Sequence, residues 1–387
     1  MRIPRRQFLA AAMTGAALAA RPLNAATWLA EWTAGPATKQ LATSPLLDRG
    51  FATVTRIADG VYATFADSEK GPQCISNGGV IVGRKAVFLV EGHMQPEGAA
   101  LEIEAARALS QAPIVGAVDT HYHLDHTFGN LGYAQQHIPI LAHEQVTPLM
   151  KERYAALQGV DKAPLLAPWE QRLAQAQSEI DKAHKTSDLD ALKWMFDSID
   201  AARLAYPTES LAASDLPRRV DLGGLTAVIE FHPGHTTTDL IVRVPERNIV
   251  FTGDLLFNRY YPVSFDADMA AWRKVLDRFA RYGRRTQFVP GHGPVGGVEV
   301  VREQAALMDD LHAHAEKMMQ AGVSAEEAAD RYVVPERFSD YVIFSWDLTV
   351  GGALRSYFAA WAATSAKTCC SSAWMRPLEA VISAPPR

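Results

Sequence analysis

The sequence is poor in cysteine and carries no excess of basic charge. Its 387 residues include only Cys74, Cys369 and Cys370. Three cysteines cannot build a disulfide framework, and adjacent cysteines rarely pair because the geometry is strained. Lys and Arg number 38 against 43 Asp and Glu, a net charge of -5. Phosphate binding needs concentrated Lys and Arg, so the composition predicts no nucleic-acid partner.

Long apolar segments are missing as well. The apolar run from Phe8 to Ala20 is too short to span about 30 Å of hydrocarbon at about 1.5 Å per residue. The basic start, the Ala-rich stretch and the small residues over 1–26 instead predict a cleaved export signal. Arg5-Arg6, followed by Gln-Phe-Leu, resembles the bacterial twin-arginine type. We therefore expect a periplasmic or otherwise exported protein that makes no membrane contact after cleavage.

The rest of the chain changes its pattern several times. Short apolar runs alternate with helical periodicity in the first part, which is typical of α/β proteins. A stretch rich in Ala, Leu, Gln, Glu and Lys then predicts a helical insert. The predicted division is a linker over residues 27–50 and a main domain over 51–300, with the insert at 144–213 inside that domain. A helical C-terminal extension over 301–370 and a loose tail over 371–387 follow.

Three of the twelve histidines fall close together in THYHLDHTFGN, residues 120–130. Imidazole and carboxylate are the usual ligands of Zn²⁺ and similar divalent ions. Because side chains alternate along a strand, the first two histidines can leave on one side, and the following loop can bring the other ligands to a second point. One run can therefore serve two metals, through His121, His123, Asp125 and His126.

Three further ligand-type residues stand at the ends of β runs, beside residues that allow tight turns. His235 lies in EFHPGHTTTD, Asp254 in VFTGDLLF and His292 in FVPGHGP. Any one of them could be an ordinary core or surface residue. Together with the histidine cluster, they predict a metal site with seven ligands.

In this order, HxHxDH, Pro-Gly-His, Thr-Gly-Asp and Gly-His-Gly resemble the metallo-β-lactamase superfamily over about residues 50 to 300. The resemblance implies an α/β (α+β) four-layer αββα sandwich, here with a helical insert and a helical C-terminal extension. It implies two metals at one edge of the sheets. The first would be held by His121, His123 and His235, the second by Asp125, His126 and His292, and Asp254 would bridge them.

The expected activity follows from the metals. Two Zn²⁺ ions, or other divalent ions such as Fe or Mn, lower the pKa of a shared water and supply hydroxide at neutral pH. We expect a hydrolase that attacks a carbonyl-type bond of a small molecule, with Asp125 and Asp254 as catalytic residues. The sequence contains no G-x-S-x-G segment, which would indicate a serine nucleophile instead.

Substrate class depends on finer features. Asp254 stands where true metallo-β-lactamases usually carry Cys or Ser, which resembles glyoxalase-II-like thioesterases and lactonases. The segment after Gly297 lacks the basic cluster with which glyoxalase II binds glutathione. A true β-lactamase is the first alternative. A non-catalytic accessory metalloprotein of a periplasmic oxidation system is the second, although such a module would not need an open coordination position at each metal.

Other residues receive more modest predictions. Arg259 and Tyr260 follow Asp254 closely and are predicted contacts for an anionic substrate. The insert is expected to pack as ordinary helices; the alternatives are that it covers the cleft or forms a homodimer contact. His312 and His314 lie two apart on a predicted helix and point about 200° apart, so they are not predicted to share a metal.

Overall fold

The computed structural model describes residues 44–366, so the predicted export signal and tail lie outside the described residues. Two β-sheets form the centre. The first sheet contains eight strands in chain order, β1 to β8: Leu47–Asp48, Ala52–Ala58, Val61–Ala66, Gly78–Val82, Val87–Val90, Ile114–Val118, Ile140–His143 and Glu209–Leu211. The second contains β9 to β13: Arg218–Asp221, Thr226–Phe231, Leu240–Val244, Ile249–Phe251 and Gln287–Val289.

In the described part of the chain, ten α-helices surround the sheets. We number them α1 to α10: Pro96–Leu109, Leu124–Thr127, Asn130–Ala134, Val146–Arg153, Ala163–Ala174, Glu179–Ala201, Met269–Phe279, Val298–Gln320, Ala325–Asp330 and Gly352–Ala366. Within residues 44–366, no helix is both long enough and apolar enough to cross a membrane.

The layers arise because side chains alternate between the two faces of each strand. In β5, Val87 and Leu89 join a core with Leu101 of α1, while Phe88 and Val90 face the second sheet. Opposite faces of one strand therefore fill two different cores, as a period of two residues requires. The outer face of the second sheet packs against α7 and α8. The layers are helix, sheet, sheet and helix, which confirms the predicted αββα sandwich.

The short apolar runs form strands, and the turns at 222–224 and 245–248 join antiparallel strands. The range 144–213, predicted as helical, holds α4, α5 and α6 but also β8, which pairs in parallel with β7. A three-residue strand is too short to show a period in sequence.

The insert and the C-terminal extension contact each other. Asp188 of α6 is buried and accepts hydrogen bonds from Ser345 Oγ at 2.6 Å and from the Asp347 amide at 2.9 Å. Burial raises the pKa of the Asp188 carboxyl to about 6, although these hydrogen bonds oppose the rise. Beside it, the ring of His184 stacks on Trp346, with 3.7 Å between centroids.

Candidate metal centre

Each predicted ligand follows the end of a strand. The HxHxDH run begins three residues after β6, and the other three ligands follow β10, β12 and β13. The amide of Leu240 in the second sheet donates to the Thr120 carbonyl at 2.7 Å, which joins the two sheets at this edge. The structure therefore brings together all seven predicted residues, although they span positions 121 to 292.

The ligand atoms form two groups, and within each group all of them lie within 4.8 Å of one another. The first group is His121, His123, His235 and Asp254, and the second is Asp125, His126 and His292. Asp254 faces both groups. Its Oδ1 lies 3.2 Å from His126 Nε2 and 3.3 Å from His292 Nε2, and its Oδ2 lies 3.6 Å from His235 Nε2. One carboxylate oxygen is thus directed to each group.

The buried polar atoms show whether these residues suit metal ions. His121 Nε2, His126 Nε2 and Asp254 Oδ1 are buried without a well-formed hydrogen bond from the described residues. His235 Nε2 and His123 Nδ1 are 3.1 Å apart and face each other. Burying polar atoms without partners costs free energy, which a cation placed among them would recover. The donor set therefore fits two divalent ions.

Burial sets the protonation of the first group. It lowers the pKa of His121 and His123 well below the ordinary value, and neighbouring imidazoles add to the effect. Burial likewise lowers the pKa of His235 to about 4, against the opposing charge of Asp254. The three rings are neutral at pH 7, which is the form in which imidazole binds metal.

In the second group, histidines and carboxylates of opposite charge shift each other's pKa values. Burial lowers the pKa of His292, but Asp254 and Asp125 outweigh it and raise the value to about 9. Burial raises the pKa of the Asp254 carboxyl, yet the charges of His292 and His126 hold it well below its usual range. Asp254 is therefore the carboxylate anion under all ordinary conditions.

Glu91 supports the second group and was not predicted from the sequence. It directly follows β5, is fully buried and has φ +98°, which non-glycine residues rarely adopt. Its Oε2 lies 2.8 Å from His126 Nδ1 and accepts from Thr120 Oγ1 at 2.7 Å. Thr120 Oγ1 in turn lies 3.1 Å from His121 Nδ1. An acidic residue before a glycine gives no signal in sequence that would reveal this role.

The two predicted substrate contacts differ in position. The guanidinium of Arg259 lies 2.5 Å from Asp340 and over the ring of Tyr341, so the structure does not bring it to the ligand cluster. The ring of Tyr260 lies 6.0 Å from that of His292, at the rim of the cluster. The side chains of Asp125 and His292 are 17% and 13% exposed, whereas the other five ligands are almost fully buried. The cluster therefore opens on the side of the second group.

The remaining histidines lie outside the cluster. His232 contacts Glu230 at 3.2 Å and the Arg278 side chain at 3.4 Å. His314 is half-buried and bonds to the Ala328 carbonyl at 2.8 Å. His93 is fully buried, 3.1 Å from Glu102.

Comparison with known proteins decides the family. The sequence profile described as the metallo-beta-lactamase superfamily matches residues 71–292, more than half of the chain, and this range holds all seven ligands. The chain belongs to this superfamily. Members of the superfamily are generally hydrolases and typically bind zinc.

Curated relatives match this chain over a short range. A metallo-beta-lactamase type 2 of Bacteroides fragilis is 35% identical over 80 residues, which is 20% of this chain and 32% of that protein. An uncharacterised protein of Mycobacterium tuberculosis is 32% identical over 83 residues, 19% of this chain and 37% of that protein. The chain thus spans only about a third of the length of the curated relatives it matches.

Solved structures in the superfamily cover more of the chain. A metallo-beta-lactamase from Pontibacter korlensis is 18% identical, covers 66% of this chain and 98% of its own, and has a TM-score of 0.48. The FIM-1 metallo-beta-lactamase of Pseudomonas aeruginosa, in its mono-zinc form, is 24% identical, covers 66% of this chain and 94% of its own, and has a TM-score of 0.46.

Proposed function

We propose that this protein is a hydrolase that holds two zinc ions and cleaves a carbonyl-type bond of a small molecule, such as a thioester, a lactone or a β-lactam. The observation that supports the proposal best is Asp254, which directs one oxygen to each ligand group. Zinc bound there would supply a Lewis acid for the carbonyl and an acidified water. His121, His123 and His235 would hold one ion, Asp125, His126 and His292 the other.

The protein's own residues would orient the reaction. The Asp125 and His292 side chains form the open side of the cluster, so substrate would approach there. Asp125 Oδ2 lies 3.2 Å from His292 Nε2, and from this open side the carboxylate would hold a proton of the attacking water. Phe257 stacks on the ring of His292 at 5.2 Å between centroids, and it shields that face from bulk water.

Within this class, the bridging residue favours a thioester or a lactone over a β-lactam. Asp254 supplies a hard, charged oxygen ligand, unlike the Cys of many true β-lactamases. The similarity to the Bacteroides fragilis enzyme supports the β-lactam as the alternative, although it covers only 80 residues.

The test combines metal analysis with a substrate panel. Purified protein from zinc-supplemented growth should contain close to two zinc ions per chain. Nitrocefin, an acyl thioester and an acyl-homoserine lactone would then be assayed with and without a chelator, with His292→Ala as the inactive control. Absence of metal would overturn the proposal. Two bound ions without hydrolysis of any probe would point to the accessory metalloprotein instead.

A further inference from the structure

The loop after Asp254 carries a second carboxylate to the outer side of His123. Nδ1 of His123 lies inside the cluster, 3.1 Å from Nε2 of His235. The opposite nitrogen, Nε2, is buried and forms no hydrogen bond within the described residues, and Oδ2 of Asp266 faces it at 3.6 Å, just beyond hydrogen-bond distance. The same oxygen accepts a hydrogen bond from the hydroxyl of Tyr122. The side chains of His123 and Asp266 are each 7% exposed, so water competes little for this contact.

We propose that Asp266 is a positioning residue for His123 in the first metal site, and that the C-terminal extension holds Asp266 in place. The proposal rests on the proposed function, because it requires a bound metal. A ligating imidazole uses one nitrogen for the metal, and a carboxylate at the other nitrogen fixes its tautomer and orientation. The ring of Phe265 also stacks on His123, with 5.1 Å between centroids and 19° between planes. The stacking limits the tilt of the ring, and the charge of Asp266 favours the tautomer with a proton on Nε2.

The extension meets this loop along α10. Ser356 Oγ donates to the Ala267 carbonyl at 2.8 Å. One turn earlier, Gly352 lies directly against the loop backbone. A Cβ at this position would stand 2.7 Å from the Phe265 nitrogen and 2.8 Å from the Ser264 carbonyl carbon. Only glycine allows the helix to come this close, so the approach of α10 sets where the loop, and with it Asp266, can lie.

The first experiment measures zinc affinity at each site by competition with a chromophoric chelator. His121→Ala and His292→Ala assign the two binding steps to the two sites. Asp266→Asn keeps the size of the side chain and an acceptor for Tyr122, but it removes the charge beside His123. We expect about a tenfold loss of affinity at the first site. The second site and the melting temperature of the metal-free protein should change little.

The second experiment uses two neighbouring glycines. Gly352→Ala should push the loop away and weaken the first site as Asp266→Asn does. Gly351→Ala is the matched control, since its Cβ would meet only side-chain atoms, at 3.1 Å and beyond, before the backbone at 3.6 Å. In the Asp266→Asn background, Gly352→Ala should lower the affinity by less than twofold, because both changes act through the same carboxylate.

The outcomes separate this inference from the proposed function. A wild-type protein that binds no zinc overturns the function itself. A wild-type protein with two sites, of which Asp266→Asn weakens neither or both equally, overturns the positioning role. Full additivity of the two substitutions, or an unchanged first site in Gly352→Ala, overturns the part assigned to the extension.

Discussion

Replacing Glu91 by Gln tests whether a residue that touches no metal sets the affinity of the second site. Glu91 is fully buried, and its Oε2 lies 2.8 Å from His126 Nδ1. Gln keeps the shape and one acceptor, but it presents an NH₂ group or a neutral oxygen to His126. A hydrogen bond to a charged group contributes about 1.5–3 kcal/mol. At about 1.36 kcal/mol per decade, the second site should bind zinc roughly 10- to 100-fold more weakly.

The assay is competitive zinc titration together with thermal unfolding of the metal-free protein. Glu91→Gly is the informative companion, because glycine adopts φ +98° without strain while the carboxylate is lost. It should therefore weaken zinc binding at the second site at least as much as Glu91→Gln does. If Glu91→Gln binds two zinc ions within twofold of wild type and only melts earlier, Glu91 is a structural residue and the reasoning fails.

Three further predictions concern other parts of the chain. Asp254→Asn should lose the second zinc and on the order of a hundredfold in rate; full rate with two metals would refute the bridging role. The raised pKa of Asp188 means that its contribution to stability is present below about pH 4 and is lost as pH rises through 6. The Asp188→Asn side chain cannot ionise. Between pH 4 and pH 7.5, its free energy of unfolding in urea should therefore rise by about 2–3 kcal/mol relative to that of wild type. A difference between variant and wild type that is the same at both pH values would contradict this. Changing Arg5-Arg6 to Lys-Lys should leave precursor in the cytoplasm, and normal export would exclude the twin-arginine route.

The clustering of the seven predicted ligands could be predicted from the sequence because each stands shortly after an apolar strand, beside a glycine or in a dense histidine run. Such residues are recognisable locally, and their order along the chain resembles one superfamily. The αββα sandwich could be predicted as well, because it is implied by the same resemblance. His235 and His292 are thus assignable to one site by their sequence motifs, although 57 residues separate them.

The residues that support the ligands could not be predicted in this way. Glu91 reaches His126 only because its backbone adopts a left-handed conformation, which no residue pattern indicates. Asp266 meets His123 across 143 positions, through a loop without periodicity. Arg259 was predicted from its nearness to Asp254 in sequence, but its side chain faces Asp340. Contacts between distant side chains depend on packing, which local patterns do not contain.

The contact of Asp188 with Ser345 has a consequence for the history of the fold. The predicted insert and the predicted C-terminal extension are far apart in sequence, yet each covers polar and aromatic groups of the other. A descendant that deleted α6 would leave Trp346 without its stacking partner and the Ser345 hydroxyl without its acceptor. A descendant that deleted the extension would leave the buried Asp188 carboxyl without the hydrogen bonds from Ser345 and Asp347. Because each segment supplies partners to buried groups of the other, we expect relatives of this protein that keep one of these segments to keep both.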